Sequence, residues 1–167
     1  MTTPPADLVM SRVFDAPRAL VYRAFTDPAQ LAAWWGPTGS VRPLADMDFD
    51  VRPGGYQRFV QIFPDDPSIR AEVRIDLADV VENTVLEGVI RVGGQIPGDF
   101  EPFETRFRFD FHDQSAGRTR LDVQQWLPPH VIAPTEDGWH QSFAHLDALL
   151  ADDDPAATTT THEETTR

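Results

Sequence analysis

The sequence contains no cysteine and, although 14 of its 167 residues are basic, no lysine: every basic residue is an arginine. Such a chain cannot supply a thiol nucleophile, a thiolate metal site, iron–sulfur ligation or a disulfide framework. It also lacks a Schiff-base amine and the lysine of a phosphate-binding loop. Positive charge is scarce altogether, since 27 acidic residues leave a net charge of −13 and the arginines are scattered singly. Nucleic acid is therefore excluded as a partner, and an anionic lipid surface is not implied. Long apolar runs are missing too. Met1 to Asp7 has two prolines and no hydrophobic stretch, so neither a secretory signal nor membrane insertion is expected and the expected location is the cytoplasm. The absence of lysine beside abundant Ala, Arg, Asp and Pro suggests a GC-rich bacterial genome.

The length suits one domain. Residues 1–7 read as a flexible N-terminus and 8–151 as the body. Residues 152–167, with an acidic triplet and a threonine run, have little to bury and are expected to be disordered. Within the body, Leu8 to Phe14 is a β-rich run. Asp15 is expected to cap a short helix with Val21, Ala24 and Phe25 at i, i+3 and i+4, ending at Thr26. Asp27 caps a second, with Pro28 at its first position and Leu31, Trp34 and Trp35 on its apolar side, before Gly36 and Pro37 stop it.

From Val41 the period becomes two. Met47, Phe49 and Val51 share one face, Tyr56 to Phe63 forms the next strand, and Arg70 to Val80 turns Ala71, Val73, Ile75 and Leu77 inward. Val85 to Val92 follows, then a loop rich in glycine and proline from Gly93 to Pro102. Phe107, Phe109 and Phe111 alternate with polar residues, as do Leu121 and Val123 beyond a turn at Ser115 to Gly117. Past Pro128 and Pro129 the helical period returns, with Thr135 as the expected cap and Trp139, Phe143, Leu146 and Leu150 in one stripe. One strand, two short helices, about six sequential strands and a long helix define an antiparallel α+β domain.

Most chemical motifs dissolve on spacing. Asp46, Asp48 and Asp50 open like a calcium loop, but Val51 and Gln57 stand where its glycine and glutamate belong. Their carboxylates are expected on an outer face, paired with arginines of a neighbouring strand. His140 and His145 lie about 140° apart around a helix and cannot chelate one ion together. No nucleophile elbow accompanies the histidines, and no helix follows Gly93 and Gly94. Neither a metal nor another cofactor is expected. The feature that remains is aromatic. Four tryptophans and 11 phenylalanines converge from three elements, and Gln61 and Gln125 fall on the apolar side of their strands by parity. Such residues either fill a core or wall a small-molecule cavity, and alternation alone leaves both readings open.

Four motifs occur in order: Ser11 to Arg18 (SRVFDAPR), Phe25 to Pro28 with Trp34 to Pro37 (FTDP, WWGP), Met47 to Gly55 (MDFDVRPGG), and Gly138 to Phe143 with Leu146 (GWHQSF). Together they resemble the heat-shock chaperone ATPase activator homologues of the START-like (SRPBCC) superfamily, from about Leu8 to Ala151. The resemblance implies a helix-grip fold, in which a curved antiparallel sheet of six or seven strands wraps a long C-terminal helix around a hydrophobic cavity. Gln57, where an aromatic is frequent, and the short approach from Pro128 to Asp137 depart from the usual pattern, and both border the expected entrance. Relatives hold lipids, polyketides or other apolar molecules. The expectation is a non-enzymatic binding protein for an aromatic or polycyclic small molecule, acting as a monomer or weak homodimer. Trp35, Phe59, Phe63, Phe109, Phe111, Trp139 and Phe143 would form its wall, with Gln61 and Gln125 orienting a carbonyl or hydroxyl. Two alternatives stand beside it. One is a cyclase or aromatase using His140 or an interior carboxylate to move protons; the other is a protein-interaction module like the chaperone activators.

Overall fold

Alternation creates strands with one apolar face, and that face must be covered. The computed structural model describes residues 3–98 and 100–152. Along these the order is β1 (Leu8–Phe14), α1 (Arg18–Thr26), α2 (Pro28–Trp34), β2 (Asp48–Asp50), β3 (Tyr56–Phe63), β4 (Asp66–Val81), β5 (Val85–Gln95), β6 (Phe103–Gln114), β7 (Arg118–Trp126) and α3 (Ile132–Asp152). Among the described residues the seven strands form a single antiparallel sheet in the order β1-β7-β6-β5-β4-β3-β2. The three helices cover its inner face, with α3 as the long closing element. This is the helix-grip architecture.

The sheet bends where its ladder is interrupted. The β4–β5 register shifts between Leu77 and Asp79, opposite Gly88, and a bulge of this kind bends a strand and increases its twist. Gly88 allows the backbones to meet there, because a Cβ at that position would lie 1.9 Å from the Asp76 carbonyl oxygen.

Polar side chains fasten the helices. The Asp27 carboxylate accepts from the Gln30 N–H at 3.1 Å and caps α2 as expected. Trp34 Nε1 donates to Ala24 O at 2.8 Å, and Gln57 Nε2, buried under α1, donates to Phe25 O at 2.8 Å. Arg42 is buried without a carboxylate. Its Nε donates to Ala32 O near the negative C-terminal end of α2, while Nη1 and Nη2 donate to Ser40 Oγ and Ser40 O. Burial lowers its pKa from the ordinary value.

Several boundaries differ from the expectation. Asp15 caps nothing: Pro17 occupies the N-cap position of α1 without a side-chain hydrogen bond. Thr135 is not a cap either, because α3 begins at Ile132; Pro134 falls in the first turn, where no intrahelical N–H is needed. β4 starts at Asp66, and its Arg70 to Glu72 segment pairs with Gly93 to Gln95, drawing the start of the expected loop into β5. A 3-10 turn over Leu44–Asp46 replaces the start of the expected β2. The carboxylates of β2 find other partners than a neighbouring strand's arginines. Asp50 pairs with Arg52 at 2.9 Å, and Asp48 accepts from the Tyr56 hydroxyl at 2.9 Å, a bond that raises the phenol's pKa. Within residues 1–7, Pro4 O accepts from Trp126 Nε1 and Asp7 Oδ2 from the Leu127 N–H, each at 2.8 Å. The segment beyond Asp152 that was expected to be disordered lies outside the described residues.

Two substitutions separate these contributions. Gly88→Ala forces a methyl group onto a neighbouring backbone and is expected to lower unfolding free energy by about 1–3 kcal/mol. Asp27→Ala removes one cap and should cost about 1 kcal/mol. Urea unfolding followed by tryptophan emission measures both; equal stability of Gly88→Ala and the parent protein would refute the close-approach account.

Candidate functional site

The buried stripe of α3 comprises Trp139, Ser142, Phe143, Leu146 and Leu150, and its two halves meet different surroundings. Toward the C-terminus the interior is solid. Phe143, fully buried, has the Phe14 ring edge-on at 5.5 Å and the Trp139 ring stacked at 5.1 Å. Phe25 packs against Trp34 at 4.7 Å, Phe109 at 5.3 Å and Phe111 at 5.4 Å. Toward the N-terminus of α3 a cavity of about 240 Å³ remains. Its helix side is Thr135, Gly138, Trp139 and Ser142; Trp35, Gly36 and Pro37, just after α2, form a second side. The sheet supplies Gln61, Ala71, Thr105 and Gln125 among aliphatic residues such as Val73 and Ile90. Small side chains leave the space: Gly138 puts no atom into it and Ala71 only a methyl group.

Hydrogen bonds set the wall. Trp139 Nε1 donates to Gln125 Oε1 at 2.6 Å, joining α3 to β7. The Gly36 N–H donates to Ser142 Oγ at 2.9 Å, and Thr38 is tied to Gln141 and His145 of the same helix. Gly36 has φ +96°, in the left-handed region, and a Cβ there would lie 2.4 Å from Gln61 Oε1. Only glycine lets the segment press this closely on β3.

Of the nine residues read from the sequence, the structure brings Trp35, Gln61, Gln125 and Trp139 together around the cavity. Phe109, Phe111 and Phe143 are fully packed core residues outside the lining. Phe59 is also buried, its ring 5.6 Å from that of Trp35, and Phe63 is half-buried at the end of β3, outside the lining. Parity gives the face a side chain takes but not its distance from the helix that crosses it. Gly36, Thr105, Thr135 and Ser142 were not anticipated as lining. Two of them carried a signal: Thr105 shares the inward parity of Phe107, and Ser142 follows Trp139 by three on the same helix.

Among the described residues the lining contains no aspartate, glutamate, histidine, arginine or tyrosine. Its polar groups are neutral amides and hydroxyls, and Thr105 Oγ1 already donates to Trp126 O at 2.8 Å. His140 stands on the exposed side of α3, 3.9 Å from Glu136. His145 lies between Thr38 Oγ1 and Trp34 O, and His112 is 3.1 Å from Asp122. Such a wall can hold apolar matter and form hydrogen bonds, but it offers no group of ordinary proton-transfer pKa. A larger depression of about 690 Å³ is lined mainly by outward-facing residues, including Arg58, Glu72, Arg74, Arg91 and Glu104. Three of its six charged side chains, Arg74, Arg91 and Glu104, are in ion pairs among the described residues. Arg91 bonds Asp76 at 2.7 Å and Glu104 at 3.0 Å, which raises the guanidinium pKa, and Arg74 bonds Asp76 at 2.9 Å.

A long C-terminal helix gripped by one curved antiparallel sheet defines a helix-grip domain. The chain belongs to the family described as "Activator of Hsp90 ATPase homolog 1-like protein", which it matches over residues 15–151. Among solved structures it is similar to a protein of Chromobacterium violaceum, 26% identical, with 86% of this chain and 96% of that one covered and a TM-score of 0.71. A protein of Silicibacter pomeroyi is 24% identical over 89% of this chain and 100% of the other, also with a TM-score of 0.71. One from Mycobacterium smegmatis is 22% identical over 88% and 92%, again at 0.71. No curated protein matches the chain.

The solid and hollow halves should respond differently to truncation. Phe143→Ala is expected to lose about 3–5 kcal/mol of stability. Gln61→Ala, which removes no hydrogen bond to protein among the described residues, should stay within about 0.5 kcal/mol of the parent. Denaturant midpoints at constant m-value report both, and a large loss for Gln61→Ala would show a structural role instead of a lining one.

Proposed function

We propose that the domain is a non-enzymatic binding protein that takes up a hydrophobic, aromatic small molecule in the cavity between sheet and C-terminal helix. One observation carries the reading: a vacancy walled by apolar and aromatic side chains, with a few neutral polar groups and no titratable one among the described residues. Trp35 and Trp139 supply ring faces for stacking, and Gln61 and Gln125 supply amides to orient the guest. In this reading the protein works in the cytoplasm as a carrier or sequestering agent, in stress response or resistance to a reactive natural product. The cyclase or aromatase reading asks for an interior acid or base, which the described lining does not supply, and His140 points to solvent. The family's name speaks of chaperone ATPase activation, which stands as the protein-interaction alternative.

Tryptophan emission during titration with a panel of flavonoids, naphthalenes and polyketide-like aromatics tests the proposal. A saturable change with at least one member is expected, because Trp35 and Trp139 face the guest. Ala71→Phe, which places a ring in the vacancy, should weaken that binding at least tenfold while far-UV circular dichroism stays unchanged. No response to any member, or undiminished binding by a folded Ala71→Phe protein, would remove the cavity from consideration.

A further inference from the structure

The wall of the cavity specifies its guest beyond being apolar. The orientation of the Gln125 amide is set by its neighbour, because an indole N–H can only donate and the atom it reaches at 2.6 Å must be the carbonyl oxygen. The amide nitrogen is then the end left over. Gln125 is only 3% exposed and lines the cavity, and among the described residues Nε2 has no protein acceptor within hydrogen-bond distance. Ser142, also buried and lining, accepts from the Gly36 N–H through Oγ and keeps a hydroxyl proton to give. Gln125 Nε2 opens on the cavity, so a guest that fills the space covers it, and a covered donor needs an acceptor; the site discriminates against guests that lack one.

Charge and size narrow the class further. No cation stands in the described lining, so a carboxylate entering it would lose its hydration with no counter-charge in return. Arg42 packs behind Gly36 but is outside the lining, and each of its three guanidinium nitrogens donates to a protein oxygen. The volume, about 240 Å³, lies below the ~300–1,000 Å³ of pockets for drug-sized ligands, which suits one or two fused rings and not a long acyl chain.

We infer that the cavity selects an uncharged, compact cyclic ketone, its rings against Trp35 and Trp139 and its carbonyl oxygen accepting from Gln125 Nε2. This rests on the binding reading above and adds the recognised group, its charge and its size. Fatty acids and aromatic acids are excluded by it.

Calorimetric titration of the full chain with three bicyclic probes provides the test: 1-tetralone, tetralin, which lacks the carbonyl, and 1-naphthoate, which is charged. Tetralone is expected to bind at least tenfold more tightly than tetralin, with naphthoate weakest. In Gln125→Met the advantage of tetralone over tetralin should vanish. Should that variant not fold, the infrared carbonyl stretch of tetralone bound to the parent protein decides, since a hydrogen-bonded carbonyl absorbs at lower wavenumber than the same ketone in cyclohexane. Equal binding of tetralone and tetralin, an unshifted carbonyl stretch, or tightest binding by naphthoate would overturn the inference and leave the cavity reading standing. Failure of all three probes to bind would overturn the inference, and the wider panel above then decides the cavity reading.

Discussion

Phe143 fastens α3 to the elements around it. Trp34 of α2 lies 6.5 Å and Trp139 of its own helix 5.1 Å from its ring, each inclined by 25°, and Phe14 of β1 meets it edge-on at 5.5 Å. A fully buried ring packed against both α2 and β1 ties the helix to helix and sheet at that point. From there to Leu150 the interval is filled. In the other direction Gly138, Thr135 and Ala71 are too small to fill it, so one unbroken helix crosses from a packed interior to a vacant one. The same ring system thus provides stability at one end and leaves the space at the other.

Chemical character follows from that division. On the outer surface of the sheet Arg91, Arg106 and Arg108 pair with carboxylates of neighbouring strands, and Arg74 with Asp76 of its own strand. Exposed pairs of this kind contribute little individually to stability, but they hold formal charge on the side of the sheet away from the helices. Apart from Arg42, the buried polar side chains are neutral and most find a protein partner: Gln57 the carbonyl of Phe25, Thr119 that of Ala16, Trp139 the Gln125 oxygen. Gln125 Nε2 breaks that pattern at the cavity, and Gln61, with no hydrogen bond to protein among the described residues, joins it there.

Much of this was legible in the sequence, because periods of two and of 3.6 residues leave different marks. The bounds of β3 at Tyr56 and Phe63, the inward set Ala71, Val73, Ile75 and Leu77, and the capping of α2 by Asp27 all follow from local pattern. What was not legible depends on contacts between distant segments. Phe111 and Gln125 are both inward by parity, yet one packs against Phe25 and the other borders empty space, according to where α3 crosses. At the crossing Trp35 meets Trp139 at 5.2 Å and the Gly36 N–H bonds Ser142 Oγ, contacts between segments some hundred residues apart. The partner of Gln125 lies 14 residues away in another element, so no spacing rule finds it.

The cavity wall also has a reactivity, and it is low. Thiols and lysyl amines are absent from the whole chain, and no imidazole borders the cavity among the described residues. A soft electrophile, such as an enone or a quinone, would meet no nucleophile able to alkylate on it there. The wall itself would leave such a molecule chemically unchanged, free to depart in the form in which it arrived.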